Sequence, residues 1–229
     1  MDKIGKTEKM FFKGLLVFLL FWYSKVFAYI PIYLFKMDIN NMSTSSYVLL
    51  NAFCSLMIAI ILFIIYRKDL KQELKIFLSK KMECMNQGFY YYGIGMFVMI
   101  ASNLIINIGL NGGGANNEEA VQSMIKSLPL VMIFTAGILA PFTEELVFRK
   151  ALKDLIKSPA IFAFCSFLLF GGAHVFSSAE TILDYLYIIP YGALGAAFAF
   201  AYSKTDTVFT SMTLHMLHNT LLTIISILL

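Results

Sequence analysis

The stretch Pro141-Phe142-Thr143-Glu144-Glu145-Leu146-Val147-Phe148-Arg149 places two adjacent carboxylates and a guanidinium inside a long apolar segment. Ionisable groups at membrane depth cost about 2.5–3.5 kcal/mol each on insertion scales and ordinarily face a protein interior or a wet cavity. On a helix, Glu145 and Arg149 are four apart, share a face and can pair. Glu144 is turned about 100° from Glu145, which leaves its charge available for something else. Pro141, just upstream, can kink the helix or leave a backbone carbonyl unpaired. A structural ion pair with a spare carboxylate accounts for this stretch as well as a reaction centre does, so the rest of the chain has to decide.

Three further polar positions share this apolar setting. His174 follows Phe170-Gly171-Gly172-Ala173, and His215 and Asn219 lie in Thr213-Leu214-His215-Met216-Leu217-His218-Asn219. His215 and Asn219 share a helical face, and His218 is three residues from His215. A lone histidine in such a segment is most simply a satisfied core residue. Here all the histidines of the chain fall in apolar segments, alongside Glu144, Glu145, Arg149 and Asn219. A carboxylate beside an imidazole can hold and deprotonate a water, and an imidazole with an amide on a facing helix can donate to an oxyanion. Those are the parts of peptide hydrolysis by activated water. No serine or cysteine stands beside a histidine as a nucleophile, and no HExxH is present. Glu144, His174 and His215 could also ligate a divalent metal such as zinc, although no spacing specific to a metal supports it.

The elements that must position these groups are membrane helices. The chain has 229 residues, 59% hydrophobic and 14% charged, with 22 Phe and a mean hydropathy of +0.75. This composition predicts an all-α polytopic membrane bundle and excludes a soluble domain. The net charge of +4 gives no reason to expect nucleic acid, because the basic residues sit between apolar segments. Cys54, Cys84 and Cys165 show no metal or redox spacing and read as packing residues.

Apolar segments near 11–35, 47–66, 89–110, 128–149, 160–176, 181–202 and 206–229 predict about seven spans, within a range of about six to eight. The early lysines and the following apolar run read as a retained first span rather than a signal peptide. The chain is expected to form one integral membrane domain over 1–229. The basic stretch Arg67 to Gln87 reads as a surface-lying amphipathic helix, and Gly112-Gly113-Gly114 as a turn. Lys3, Lys6, Lys9, Lys13, Arg67 to Lys81, Arg149 to Lys157 and Lys204 gather on one side, against Lys36 and Lys126 on the other. That asymmetry predicts a cytoplasmic N-terminus.

Depth arithmetic brings the polar groups together. With a turn at Ser158-Pro159, Glu144 and His174 lie roughly 21 and 22 Å from it on antiparallel neighbours. With a turn at Thr205-Asp206, His215 and Asn219 lie roughly 14 and 20 Å from it. Gly171 and Gly172, and Gly192, Gly195 and Ala196 on the next segment, would let helices approach closely around His174.

Glu144-Glu145-Leu146-Val147-Phe148-Arg149 fits EExxxR, Phe170-Gly171-Gly172-Ala173-His174 fits FxxxH, and His215-Met216-Leu217-His218-Asn219 fits HxxxN. This ordered trio resembles the CPBP family of CAAX prenyl proteases and bacteriocin-processing enzymes, also called Abi, over about residues 128–222. The resemblance implies an intramembrane endopeptidase of glutamate type. Glu144 and His174 would activate water, His215 and Asn219 would form the oxyanion site, and Glu145 and Arg149 would support them. No metal is favoured. His218 has no assigned role. The Lys-, Ile- and Asn-rich composition looks bacterial, so the expected substrate is a bacteriocin, a pheromone-like peptide or a membrane-protein tail. A non-catalytic immunity or regulatory membrane protein that binds a peptide or membrane partner is the competing reading. A proton-coupled transporter is a third, against which no paired halves or twin interrupted helices are found.

Overall fold

The computed structural model describes residues 3–110 and 116–228. The Gly112-Gly113-Gly114 turn expected from the sequence lies outside the described residues. Among those described, the chain is a bundle of helices with no strand. Helix α1 (Lys3–Trp22) passes through a 3-10 turn (Ser24–Ala28) into α2 (Tyr29–Phe35), and α3 (Thr44–Ser79) and α4 (Lys81–Leu110) follow. Then come α5 (Asn116–Ser127), α6 (129–155), α7 (Pro159–Val175), α8 (Ile188–Thr205) and α9 (Val208–Leu228). The seven apolar segments map onto five single helices long and apolar enough to cross a membrane, one pair bent by 50° (α1 with α2), and α7. At 17 residues α7 is the shortest of these, reaching about 25 Å against a hydrocarbon core of about 30 Å.

The ends of the helices follow local chemistry. Ser43 caps α3 by accepting from the Ser46 N–H at 3.2 Å, and Ser158 caps α7 ahead of Pro159 at its first turn. Asp206 closes α8 in the left-handed region with φ 53°. The turns at Ser158-Pro159 and Thr205-Asp206 therefore stand where the sequence puts them.

One expectation is corrected. Arg67 to Gln87 is not one separate helix on the surface: Arg67–Ser79 continues α3, the chain breaks at Lys80, and Lys81–Gln87 opens α4. Tyr66, Leu70, Glu73 and Phe77 are all buried, and their spacing makes one stripe facing the bundle. Amphipathicity there docks the helix on protein rather than on lipid.

Helix α6 is not uniformly α. It runs through a π-helical turn at Thr135–Leu139, returns to α over Ala140–Glu145, and passes through a second π-helical turn at Leu146–Ala151. Pro141 supplies a cause for the first. It has no N–H to give back to Ala136 or Gly137. Those two carbonyls accept instead from α9, from the Asn219 amide at 3.1 Å and the Thr220 hydroxyl at 3.3 Å.

Helix α8 packs between α7 and α4. Its contact with α7 is close because a Cβ on Gly171 would lie 2.6 Å from the Ile188 carbonyl. The space at Gly172 is taken by the Phe176 ring of the same helix end rather than by a neighbouring helix. Ser166 of α7 donates to the Gly195 carbonyl at 3.0 Å and reaches the Phe148 carbonyl of α6 at 3.3 Å. The main core joins Val17, Leu62, Tyr66, Leu146, Phe162 and Val208. Basic residues gather at one end of the bundle, where Lys13 pairs with Asp69 at 2.6 Å, Lys150 with Asp154 at 2.6 Å and Lys153 with Asp206 at 3.1 Å.

Candidate active site

Three helices supply the polar layer: α6 with Glu144, Glu145 and Arg149, α7 with His174, and α9 with His215 and Asn219. The α turn between the two π turns of α6 holds both glutamates. Glu145 Oε1 lies 3.3 Å from Arg149 Nη1, and both side chains are fully buried. The expected pair is therefore formed in the interior.

The pair is not isolated. His215 Nδ1 donates to Glu145 Oε1 at 2.9 Å, since a carboxylate oxygen can only accept. Its Nε2 faces Glu144 Oε2 at 3.6 Å. One imidazole thus bridges two carboxylates, and Glu145 fixes which nitrogen points at Glu144. The Glu144 side chain is 15% exposed, so it sits at the open edge of the cluster.

His174 reaches the cluster through Phe170. That ring lies 4.5 Å from the His174 ring, 5.5 Å from the His215 ring and 4.3 Å below the Arg149 guanidinium. His174 Nδ1 donates to the Phe170 carbonyl at 2.8 Å. The neutral ring therefore carries its basic lone pair on Nε2. Tyr191 stacks on His174 at 4.7 Å with 21° between the planes. Asn219, one turn beyond His215, uses one amide hydrogen on the Ala136 carbonyl, which leaves it a second donor.

Sequence reasoning missed the aromatic walls. Phe198 of α8 stacks on His215 at 5.0 Å, sits 5.3 Å from the Arg149 guanidinium and stacks on Tyr92 of α4 at 6.2 Å. Nothing distinguishes Phe198 among 22 phenylalanines. Tyr92 carried a signal, a hydroxyl inside an apolar span, and its partner is the unassigned histidine: Tyr92 Oη lies 3.0 Å from His218 Nδ1. Tyr92→Phe is expected to lower stability by about 0.6–1.7 kcal/mol, the range for hydrogen bonds between membrane helices. A denaturation midpoint equal to wild type in detergent would show that this bond carries no weight.

No three His, Cys, Asp or Glu side chains among the described residues are arranged to hold one metal ion. His215 Nδ1 is bonded to Glu145, its Nε2 lies 3.6 Å from Glu144 Oε2, and His174 Nδ1 is bonded to the Phe170 carbonyl.

Fold and site together define a multi-pass helical membrane protein with a buried cluster of carboxylates, imidazoles and one arginine. Residues 126–221 match the sequence model of the family described as type II CAAX prenyl endopeptidase Rce1-like. The resemblance drawn from the three motifs is thereby borne out over that segment. The chain is 29% identical over 119 residues to YdiL of Bacillus subtilis, named as a candidate membrane peptidase, covering 51% of this chain and 45% of that protein. It is 29% identical over 140 residues to the membrane-embedded CAAX protease MroQ of Staphylococcus aureus, covering 55% and 53%. YvdC of Lactococcus lactis is 24% identical over 129 residues, covering 56% and 48%. The matches span about half the length of these bacterial relatives. No solved structure matches the chain.

Proposed function

We propose that the chain is an intramembrane endopeptidase that hydrolyses a peptide bond with an activated water. The observation that carries this reading is the bridge of His215 between Glu145 and Glu144, inside the segment that matches a protease family. Glu144 accepts a proton from water, with His174 Nε2 as the second acceptor that holds it. The water oxygen bonds to the scissile carbon, and the carbonyl oxygen becomes an oxyanion. His215 Nε2–H and the second Asn219 amide hydrogen stabilise that oxyanion. Glu144 then gives the proton to the leaving nitrogen as the C–N bond breaks. Since Nδ1–H of His215 is committed to Glu145, donation from Nε2 requires the imidazolium. Glu145 supplies its counter-charge, and two carboxylates with one guanidinium and one imidazolium sum to zero.

The substrate class is a bacteriocin, a pheromone-like peptide or a membrane-protein tail, and the reaction needs no metal. The test compares peptides released by cells carrying the intact chain with those from cells carrying His174→Ala/His215→Ala, at matched membrane levels. Specific cleaved peptides are expected to vanish with the double variant and to persist when the intact chain is treated with 1,10-phenanthroline. Identical profiles would replace the reading with a non-catalytic immunity or regulatory protein that binds a peptide or membrane partner. Loss on chelation would restore a metal mechanism.

A further inference from the structure

Helix α9 carries His215 and Asn219, and its first turn is held by a residue from outside the family-matched segment. Glu73, on the extension of α3, is 8% exposed. Its Oε2 accepts from the Val208 N–H at 2.7 Å. Its Oε1 accepts from the Tyr202 hydroxyl of α8 at 2.9 Å and lies 3.3 Å from Lys150 Nζ of α6. The Glu73 backbone carbonyl accepts from the Thr207 hydroxyl at 3.0 Å, and that hydroxyl accepts in turn from the Phe209 N–H at 3.3 Å.

A helix leaves its first N–H groups without partners and is electropositive at that end, so a carboxylate there satisfies a donor and meets the dipole. In α9 the carboxylate comes from a helix 135 residues earlier in the chain. Its other contacts go to α8 and to Lys150, the residue directly after Arg149. One side chain therefore joins α3, the helix of the two glutamates, the helix of Phe198, and the helix of His215. Val208 is seven residues before His215, about 10 Å along a continuous helix. A displacement at the first turn is therefore passed to both candidate oxyanion donors.

We propose that Glu73 is a positioning residue of the candidate site, setting the axial register of α9 against α6. This rests on the protease reading for its activity arm only. In purified full-length protein, Glu73→Ala is expected to lower kcat by about 10²-fold, the size of effect that a misplacement of about 1 Å produces, with KM unchanged. Glu73→Gln still offers an acceptor to Val208 and is expected to recover most of kcat. A kcat equal to wild type in folded Glu73→Ala would overturn the proposal.

Hydrogen exchange supplies an arm that needs no cleavage. The Val208–Leu214 amides are expected to exchange faster in Glu73→Ala than in wild type or Glu73→Gln. Equal protection in all three would overturn the proposal. If Glu73→Ala does not fold, Tyr202→Phe and Lys150→Gln each remove one contact of Glu73, the second together with the Lys150–Asp154 pair. Both are then expected to show intermediate exchange over the same amides, and wild-type protection in both would count against the proposal. Should the wild-type chain cleave nothing, the protease reading fails while the exchange result still decides the role of Glu73.

Discussion

Replacing Arg149 with Met is expected to destabilise the folded protein by about 3–5 kcal/mol, the cost of leaving a buried charge without its partner. Arg149 and Glu145 are both fully buried at 3.3 Å. Glu145 would then be left in the interior with the bond from His215 still in place. Glu145→Gln is expected to cost a similar amount, because it strands the guanidinium. The double variant Glu145→Gln/Arg149→Met is expected to recover most of the loss, since removing a buried pair altogether is often close to neutral. Arg149→Lys is not a conservative change here. The guanidinium lies 4.3 Å over the Phe170 ring, and an ammonium lacks its planar face. Unfolding by SDS in mixed micelles, read as a double-mutant cycle, measures all four proteins. Single variants as stable as wild type would mean that the pair is not buried in the protein interior.

Glu144→Gln is expected to lower kcat by about 10²–10⁴-fold, the range for loss of a general base, with substrate affinity retained. Its stability should fall less than that of Glu145→Gln, because Glu144 stands outside the Glu145–Arg149 pair and at the edge of the cluster. The neighbouring Glu145→Gln should lose stability as well as rate. Two adjacent and chemically identical substitutions then separate the base from its support. Kinetics on a peptide recovered from the release experiment would decide it. A Glu144→Gln protein with wild-type kcat would remove Glu144 from the chemistry.

Much of this arrangement was legible because it depends on rise per residue and on chain punctuation. Ser158-Pro159 and Thr205-Asp206 end helices for local reasons, so counting residues from them places Glu144, His174, His215 and Asn219 near one level. The Glu145–Arg149 pair follows from a spacing of four. The bond from His215 to Glu145 does not, because it depends on how α9 is rotated against α6, and side chains elsewhere set that rotation. Phe170 was visible inside a motif, but its place against both imidazoles and Arg149 was not. Arg67–Ser79 was misread for a related reason: an amphipathic stripe is the same pattern whether it faces lipid headgroups or protein.

The first π turn of α6 has a consequence for sequence drift. Helix α9 docks there on two main-chain oxygens, those of Ala136 and Gly137, through Asn219 and Thr220. Every residue type carries a main-chain oxygen, so divergence at position 136 leaves the acceptor in place. Position 137 is constrained by size alone, because a Cβ there would sit 2.6 Å from the Thr220 hydroxyl. The record of this joint is therefore confined to a proline, a glycine and two polar side chains on a distant helix. Diverged chains could share the joint while little else in their alignment agreed.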